Sequence, residues 1–462
     1  MEACLLKFIV EACGEENIAN LPSVEIKSVC TDSRVVKADD LFLAIKGERF
    51  DGHDFLDEAV EKGVVAVVVE KSKVQTLSSN VSSRMVVIPV KDVRLALGKI
   101  AAAYRKKFDL PIIAVAGSNG KTTVKELLAS VLNQKFRTLW SEASFNNDIG
   151  VPATLLRMEK THQVAVLEVG TNHPGELTPL VKMIAPKFGV ITNIGREHLE
   201  YFGNVAGVAL EEGSLAELLP ANGKLFLNGD NEWSDKIAAR TKAQVVRVGV
   251  GVKNDWIAKN IRLDKSGVTF QVVAPKQDYC GGYRINLLGQ HQVANSLFVI
   301  ALGAELGLDR LEIQDGLIAC PQPKMRLNLF ETNGVRVLDD SYNANADSTL
   351  AALETLCGLP FQGRRVAVLG DMAELGGASE LAHAEVGRRA AELKLGQLFA
   401  IGKMAAVTAK AARAAGLLRV FEFMEVEDAI KVIKTFLKPG DVVLLKASRA
   451  SRLERITEML RS

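Results

Sequence analysis

The apolar positions of this chain fall into short, separated runs. In the N-terminal block "LFLAI" (41–45), "VVAVVVE" (64–70) and "MVVIPV" (85–90) alternate with stretches of helical spacing, the last being "VRLALGKIAAAYRKKF". Short β-branched runs punctuated by helix predict a small α/β domain. The last helix is basic and stops at "DLP", where Pro111 disfavours helix in the residue before it and opens a strand.

The next block carries "IIAVA", "QVAVLEVG", "FGVITNIG" and "GKLFLNGD". These runs are continuously apolar, as parallel strands covered on both faces require. Between about 256 and 287 the pattern shifts to shorter alternating strands around Gly267 and Gly281-Gly282, which predicts an antiparallel appendage. Prolines in "CPQPKMR" (320–326) signal a linker. Beyond it "VRVLDD", "RRVAVLGD", "QLFAIG" and "DVVLLKAS" are separated by Ala/Leu/Glu-rich helices, a second open sheet. The expected fold is α/β in three domains. Residues 1–108 form a small α/β domain, 109–319 a central mostly parallel sheet of phosphate-loop type with its appendage, and 320–462 a Rossmann-like domain.

A length of 462 residues agrees with about three domains, and 48% hydrophobic content is enough for several cores. Lys and Arg total 57 against 55 Asp and Glu, a net charge of +2, and no long basic run appears, so nucleic acid is not an expected partner. Six scattered cysteines with no CxxC pair read as reduced thiols. The opening "MEACLLKFIVEACG" has acidic Glu2 and Glu11 and too short an apolar run for a signal peptide. No uncharged apolar run reaches about 18 residues, so no membrane span is expected and the cytoplasm is the expected compartment. The expected state is a monomer.

The candidate chemistry begins at "PIIAVAGSNGKTTVKELLASVL" (111–132). A buried-strand signal leads into Gly117, Ser118, Asn119, Gly120, Lys121, Thr122 and Thr123, and then Val124, Leu127, Leu128, Val131 and Leu132 recur at helical spacing. Strand, glycine loop and helix N-terminus are the context in which backbone amides meet phosphate. Lys121 would reach the β- and γ-phosphates and Thr122 would ligate Mg2+. The pattern departs from GxxxxGK[ST] at Val115, which stands where the first glycine belongs. A turn that merely joins strand to helix is the competing reading.

Other residues suggest what the phosphate is for. Glu168 ends a buried-strand run, as either a metal ligand or a solvated strand end, and His198 follows another strand, as either a ligand or a structural histidine. "LLGQHQVANSL" puts His291 and Asn295 one helical turn apart. "MRLNLF" and "VLDDSYNANADS" bring Arg326, Asp340, Tyr342 and Asn345 to the opening of the third block, where α/β sheets bind ligands. Lys446 and Arg449 follow the last strand and suit an anion.

Taken together, "GSNGKTT", "SFNNDIGVPATLL", "EVGTNHPGEL", "TNIGREHLEYFG", "DDSYNANADS" and "VLGDMAELG" resemble the Mur ligase family, and "TDSRVVKADDLFLAIKGERFDGHDF" extends the match across essentially the whole chain. A shortened phosphate loop is normal in that family, which accounts for Val115. The resemblance implies a ligase that uses ATP and Mg2+ to phosphorylate the terminal carboxylate of UDP-N-acetylmuramoyl-tripeptide. D-alanyl-D-alanine then attacks the acyl phosphate.

It further implies that Thr122 and Glu168 bind one metal, that His198 helps bind a second, and that Lys121 stabilises the transferring phosphoryl group. Asn295 would lie near the adenine, Arg326 near the phosphates, and Asp340 near the ribose with Tyr342 and Asn345. Ser33, Arg34 and the segment holding Asp51, Gly52 and His53 would hold the UDP-sugar. Asn146, Asn147 and Thr154 would line the peptide side, and Lys446 and Arg449 would meet the dipeptide.

The chain departs from the family where most members carry a carbamylated lysine. The run here is "GVALEEGSL", and Glu212 would supply the anion directly, unless Glu211 and Glu212 are simply exposed helix residues. Gln292, Ala346, Ala447 and Ala450 are milder departures. The sibling readings are a ligase adding the third peptide residue and a folylpolyglutamate synthetase. A nucleotide-binding protein that lost ligation is the rival of another class. "DDSYNAN" and "FDGHDF" argue against the siblings, and the intact Lys121, Thr122, Glu168 and His198 argue against that rival.

Overall fold

The predicted strands gather into mainly parallel sheets flanked by helices in the computed structural model, which describes residues 1–15 and 21–461. The fold is the expected three-domain α/β arrangement. The polypeptide divides into two compact units. One comprises Met1–Ala114, Phe136–Gly170 and Thr178–Lys187, the other Val115–Lys135, Thr171–Leu177 and Phe188–Ser462.

In the first unit Ser28–Cys30, Asp40–Leu43, Ala66–Glu70 and Val86–Val90 pair in chain order as a four-stranded parallel sheet. Its strands are continuously buried because Phe42, Val67 and Val69 pack on Leu56, Ala59, Val60 and Val81. Pro89 is accommodated in the last of these strands, which lies at the sheet's edge, where a missing N–H breaks no ladder. The basic helix Val93–Arg105 is capped by Asp92 and anchored by Tyr104, whose hydroxyl donates to the Met158 carbonyl at 2.6 Å. Thr138–Trp140 pairs in parallel with Val164–Glu168, the strand that carries Glu168 at its end.

In the second unit Phe188–Ile191, Lys224–Asn228 and Gln244–Gly249 are parallel neighbours. Trp256–Asp264 joins in parallel and then pairs antiparallel with Gly267–Val273, which pairs antiparallel with Gly281–Ile285. This is the expected appendage. The C-terminal sheet has six strands in the order Asn328–Thr332, Val335–Asp339, Val442–Lys446, Arg365–Leu369, Gln397–Ile401, Val420–Phe423. All are parallel except the first, which forms a hairpin with its neighbour.

Among the described residues no helix is long and apolar enough to cross a membrane, and all six cysteines are free.

Candidate active site

In the second unit the strand ending at Ala116 turns at Gly117 (φ +109°) and Gly120 (φ +89°) before the helix Lys121–Leu132 begins. Both glycines are required by space as well as by backbone. A Cβ on Gly117 would lie 2.5 Å from Thr192 Oγ1, and one on Gly120 would lie 2.6 Å from Asn295 Oδ1. Asn295 thus sits against the loop, and its amide donates to Gln292 Oε1 at 2.8 Å. His291, one turn earlier on the same helix, is exposed. The Ser118 amide donates to the Asn193 carbonyl at 2.9 Å, and the Asn119 amide to Asn193 Oδ1 at 2.7 Å.

Lys121 folds back over its loop, with Nζ 2.5 Å from the Gly117 carbonyl and 3.4 Å from Glu197 Oε2. Glu197 is also 3.9 Å from His198 Nε2, while His198 Nδ1 is bonded to Glu374. Glu197 and Glu374 are site residues that the sequence reading passed over. Their positions inside "GREHLE" and "GDMAELG" were the available signal.

Glu211 and Glu212 end the helix Val205–Glu212, and both are buried. Glu212 accepts the Gly117 amide at 2.7 Å, leaving its other oxygen buried and without a partner. Burial pushes its carboxyl up to about 8, while nearby Lys121 pulls it down. Glu211 turns the other way and accepts the amides of Gly175 and Leu177, both at 2.8 Å. Neither is an exposed helix residue.

Arg326 donates to Thr122 Oγ1 at 3.1 Å and lies 4.3 Å from the centroid of the Tyr342 ring. Asn345 donates to Asn119 Oδ1 at 2.9 Å while capping the helix Ala346–Gly358. Asp340 accepts the Leu327 amide at 3.1 Å and Lys446 Nζ at 2.5 Å; burial raises its carboxyl against the pull of Lys446. Lys446 is itself buried, so of the C-terminal basic pair Arg449 alone is open to solvent.

In the first unit Glu168 is 1% exposed. One carboxylate oxygen accepts the Asn146 amide at 2.8 Å and the other is buried without a partner. An orphaned buried carboxylate oxygen suits a cation. Asn147 accepts the amides of Ile149 and Gly150, and Thr154 donates to the Gly150 carbonyl, so both shape the helix Gly150–Leu156.

Ser33 donates to Glu58 at 3.1 Å, and Arg34 chelates Asp32 at the surface. Asp51 is bonded to His53 Nδ1 at 2.6 Å, and His53 Nε2 accepts the Glu70 amide at 3.0 Å. These two side chains therefore brace their loop. Gly52 is needed because a Cβ there would lie 2.7 Å from the Ile45 amide nitrogen. Beside them a groove of about 510 Å³ is lined by Thr31, Ile45, Arg49, Phe50, Arg94 and Ile149.

No group of three or more His, Cys, Asp or Glu among the described residues is placed to hold a metal by itself. Mg2+ is ordinarily held by one or two protein ligands together with substrate phosphates.

Three family models match the chain: "Mur ligase family, catalytic domain" over 25–105, "Mur ligase middle domain" over 115–303, and "Mur ligase, glutamate ligase domain" over 325–449. The UDP-N-acetylmuramoyl-tripeptide–D-alanyl-D-alanine ligase of Bacillus subtilis is 34% identical, over 94% of this chain and 93% of its own length. The crystal structure of MurF from Acinetobacter baumannii superposes with a TM-score of 0.90 at 31% identity, covering 100% of this chain and 99% of the other. MurF from Thermotoga maritima, solved in complex with ADP, superposes at 0.80 with 27% identity over 94% and 97%.

Proposed function

The chain belongs to the Mur ligase family, and from that premise we propose that it uses ATP to join D-alanyl-D-alanine to the terminal carboxylate of UDP-N-acetylmuramoyl-tripeptide. The full-length match to relatives with that activity carries the reading. A peptide carboxylate oxygen attacks the γ-phosphorus, the bond to the β,γ-bridging oxygen breaks, and ADP leaves. The dipeptide amine then attacks the acyl phosphate carbon, the carbon–oxygen bond breaks, phosphate departs, and the nitrogen gives up a proton. Phosphate is needed because a carboxylate has no usable leaving group.

Several residues of this chain support those steps. The start of the helix Lys121–Leu132 offers its amides and dipole to the phosphates, while the amides of Gly117, Ser118 and Asn119 hold the loop's shape through Glu212 and Asn193. Lys121 stabilises the charge that develops on the transferring group. Asn295, Arg326, Asp340, Tyr342 and Asn345 surround the same loop or the strand end beside it, as a bound nucleotide requires. Ser33, Arg34 and Asp51–His53 are assigned to the UDP-sugar, while Asn146, Asn147 and Thr154 are assigned to its peptide. Arg449 is the exposed cation assigned to the dipeptide carboxylate, with Lys446 held behind it by Asp340.

Mg2+, when bound, neutralises the anions that must approach one another. Each group suits a cation by its own chemistry: in the first unit the unpartnered oxygen of Glu168, and in the second the Thr122 hydroxyl and His198 Nε2. With ATP and a nucleotide-sugar as the proposed substrates, the cytoplasm is the proposed compartment.

The test is ADP release measured with each substrate omitted in turn, with mass analysis of the product. The expected result is ADP release that needs both substrates, and a product heavier by the dipeptide less one water. Phosphate release with neither substrate, or turnover with a single amino acid in place of the dipeptide, would reject the assignment.

A further inference from the structure

We infer that Glu374 is a positioning residue for His198: it fixes which ring nitrogen of the histidine is left free to take a cation. The inference rests on the reading of His198 as a metal ligand given above.

Two observations point the same way. His198 Nδ1 is bonded to the Glu374 carboxylate. Its other nitrogen, Nε2, is directed to the neighbourhood of the phosphate loop, 3.9 Å from Glu197 Oε2, the same oxygen that lies 3.4 Å from Lys121 Nζ. A carboxylate can only accept, so Nδ1 donates, and in the neutral ring Nε2 then keeps its lone pair. A ligating histidine needs that tautomer, and a carboxylate on the far nitrogen is the usual way to hold it.

The backbone is shaped to make the bond. His198 and Glu374 are both non-glycine residues in the left-handed region, at φ +47° and +59°. Such conformations persist where the surroundings over-determine them. Here the Glu200 amide donates to the Glu374 carbonyl at 3.0 Å, tying the two turns together a second time. A Cβ on Gly376 would lie 3.0 Å from Glu200 Cα, so the turns are already in close contact.

Glu374 comes from the C-terminal sheet's loop after Arg365–Leu369, whereas His198 follows the central strand Phe188–Ile191. The orientation of the histidine is therefore supplied by a different part of the chain. A clasp nearby, Arg196 with Asp347 and Glu385, joins the same two regions without touching the imidazole, and it provides the control.

The experiment uses full-length protein with 15N-labelled histidine and four variants, Glu374→Ala, Glu374→Gln, His198→Ala and Glu385→Gln, each checked for cooperative melting. Long-range 1H–15N spectra report the His198 tautomer, assigned by loss of its signals in His198→Ala. Electron paramagnetic resonance reports Mn2+ binding in the presence of a non-hydrolysable ATP analogue. Wild type and Glu374→Gln, which keeps an acceptor oxygen, are expected to show the Nδ1–H form. Glu374→Ala is expected to lose it and to bind Mn2+ roughly 10- to 100-fold more weakly, the usual effect of removing such a partner. Glu385→Gln is expected to change neither.

Wild-type tautomer signals in Glu374→Ala would overturn the inference, whatever happens to Mn2+. Equal weakening by Glu385→Gln would also overturn it, because the effect would then belong to the clasp. If His198→Ala left Mn2+ binding intact while Glu374→Ala still shifted the tautomer, positioning by Glu374 would stand. The assignment of His198 as a ligand would then fail.

Discussion

Glu212 accepts the backbone N–H of Gly117 at 2.7 Å, so the carboxyl that ends one helix is built into the phosphate loop itself. Burial pushes its carboxyl up to about 8 from the ordinary 4.5. The folded state thus holds this proton more tightly than the unfolded chain does. The stability gained from it is complete below about 4.5 and is lost as pH rises through about 8. E212Q keeps an acceptor for Gly117 and carries no titrating proton. Its melting temperature should rise relative to wild type between pH 5 and pH 9, on the same linkage. Parallel curves across that range would exclude a buried, raised carboxyl.

On the proposed substitution of Glu212 for the carbamylated lysine that the family resemblance implies, the anion needs no CO2. A cation arriving at the site favours the ionised carboxylate. Ligase rate should therefore be the same in degassed and bicarbonate-supplemented buffer. A loss on degassing that bicarbonate restores would refute this.

Gly117 combines φ +109° with Thr192 Oγ1 at 2.5 Å from an added Cβ. Gly117→Ala should lose about 1–3 kcal/mol of stability and should also weaken ATP binding. Gly203 (φ +75°), with nothing within 4 Å of an added Cβ, gives the comparison, since alanine there meets backbone strain alone. Thermal melts with and without ATP distinguish the two. Equal losses would mean that crowding at Thr192 is unimportant.

Arg196 holds Asp347 at 2.6 Å and Glu385 at 2.5 Å, with its backbone amide also on Asp347 at 2.8 Å. Arg196→Ala should cost about 1–3 kcal/mol, the range for hydrogen bonds to charged groups. A double-mutant cycle with Asp347→Ala should show coupling between the two, and additive losses would count against the clasp.

His383 accepts the Met372 amide on Nε2 at 3.0 Å, and its Nδ1 lies 2.8 Å from the Ser379 carbonyl, a pattern only the neutral ring supports. Burial lowers its pKa from the ordinary 6.5. Its contribution is present above 6.5 and lost as pH falls through the lower folded value. Amide exchange at Met372 should therefore quicken in acid ahead of global unfolding. Protection that stays constant down to the global transition would rule this out.

How much of this was readable in advance depends on how local each signal is. The strand Ile112–Ala116, its loop and its helix were legible because their periodicities and glycines are contiguous. The edge strands Asn328–Thr332 and Val420–Phe423 went unread, since half-exposed edges carry little apolar pattern. The short Thr138–Trp140 and the partly exposed Gln244–Gly249 were missed on similar grounds. Lys121, Thr122, Glu168 and His198 could be picked out as residue types at strand ends.

By itself the sequence determined which residues can carry charge and bind phosphate, because residue type and local spacing are one-dimensional facts. Only the tertiary structure decided that Glu212 serves Gly117, 95 residues away, and that Glu374 serves His198 across 176 residues. It also decided that His53 turns its Nε2 to the Glu70 amide, 17 residues away. Such pairings follow from which buried polar groups can satisfy one another once the chain has packed, and no local pattern encodes that choice.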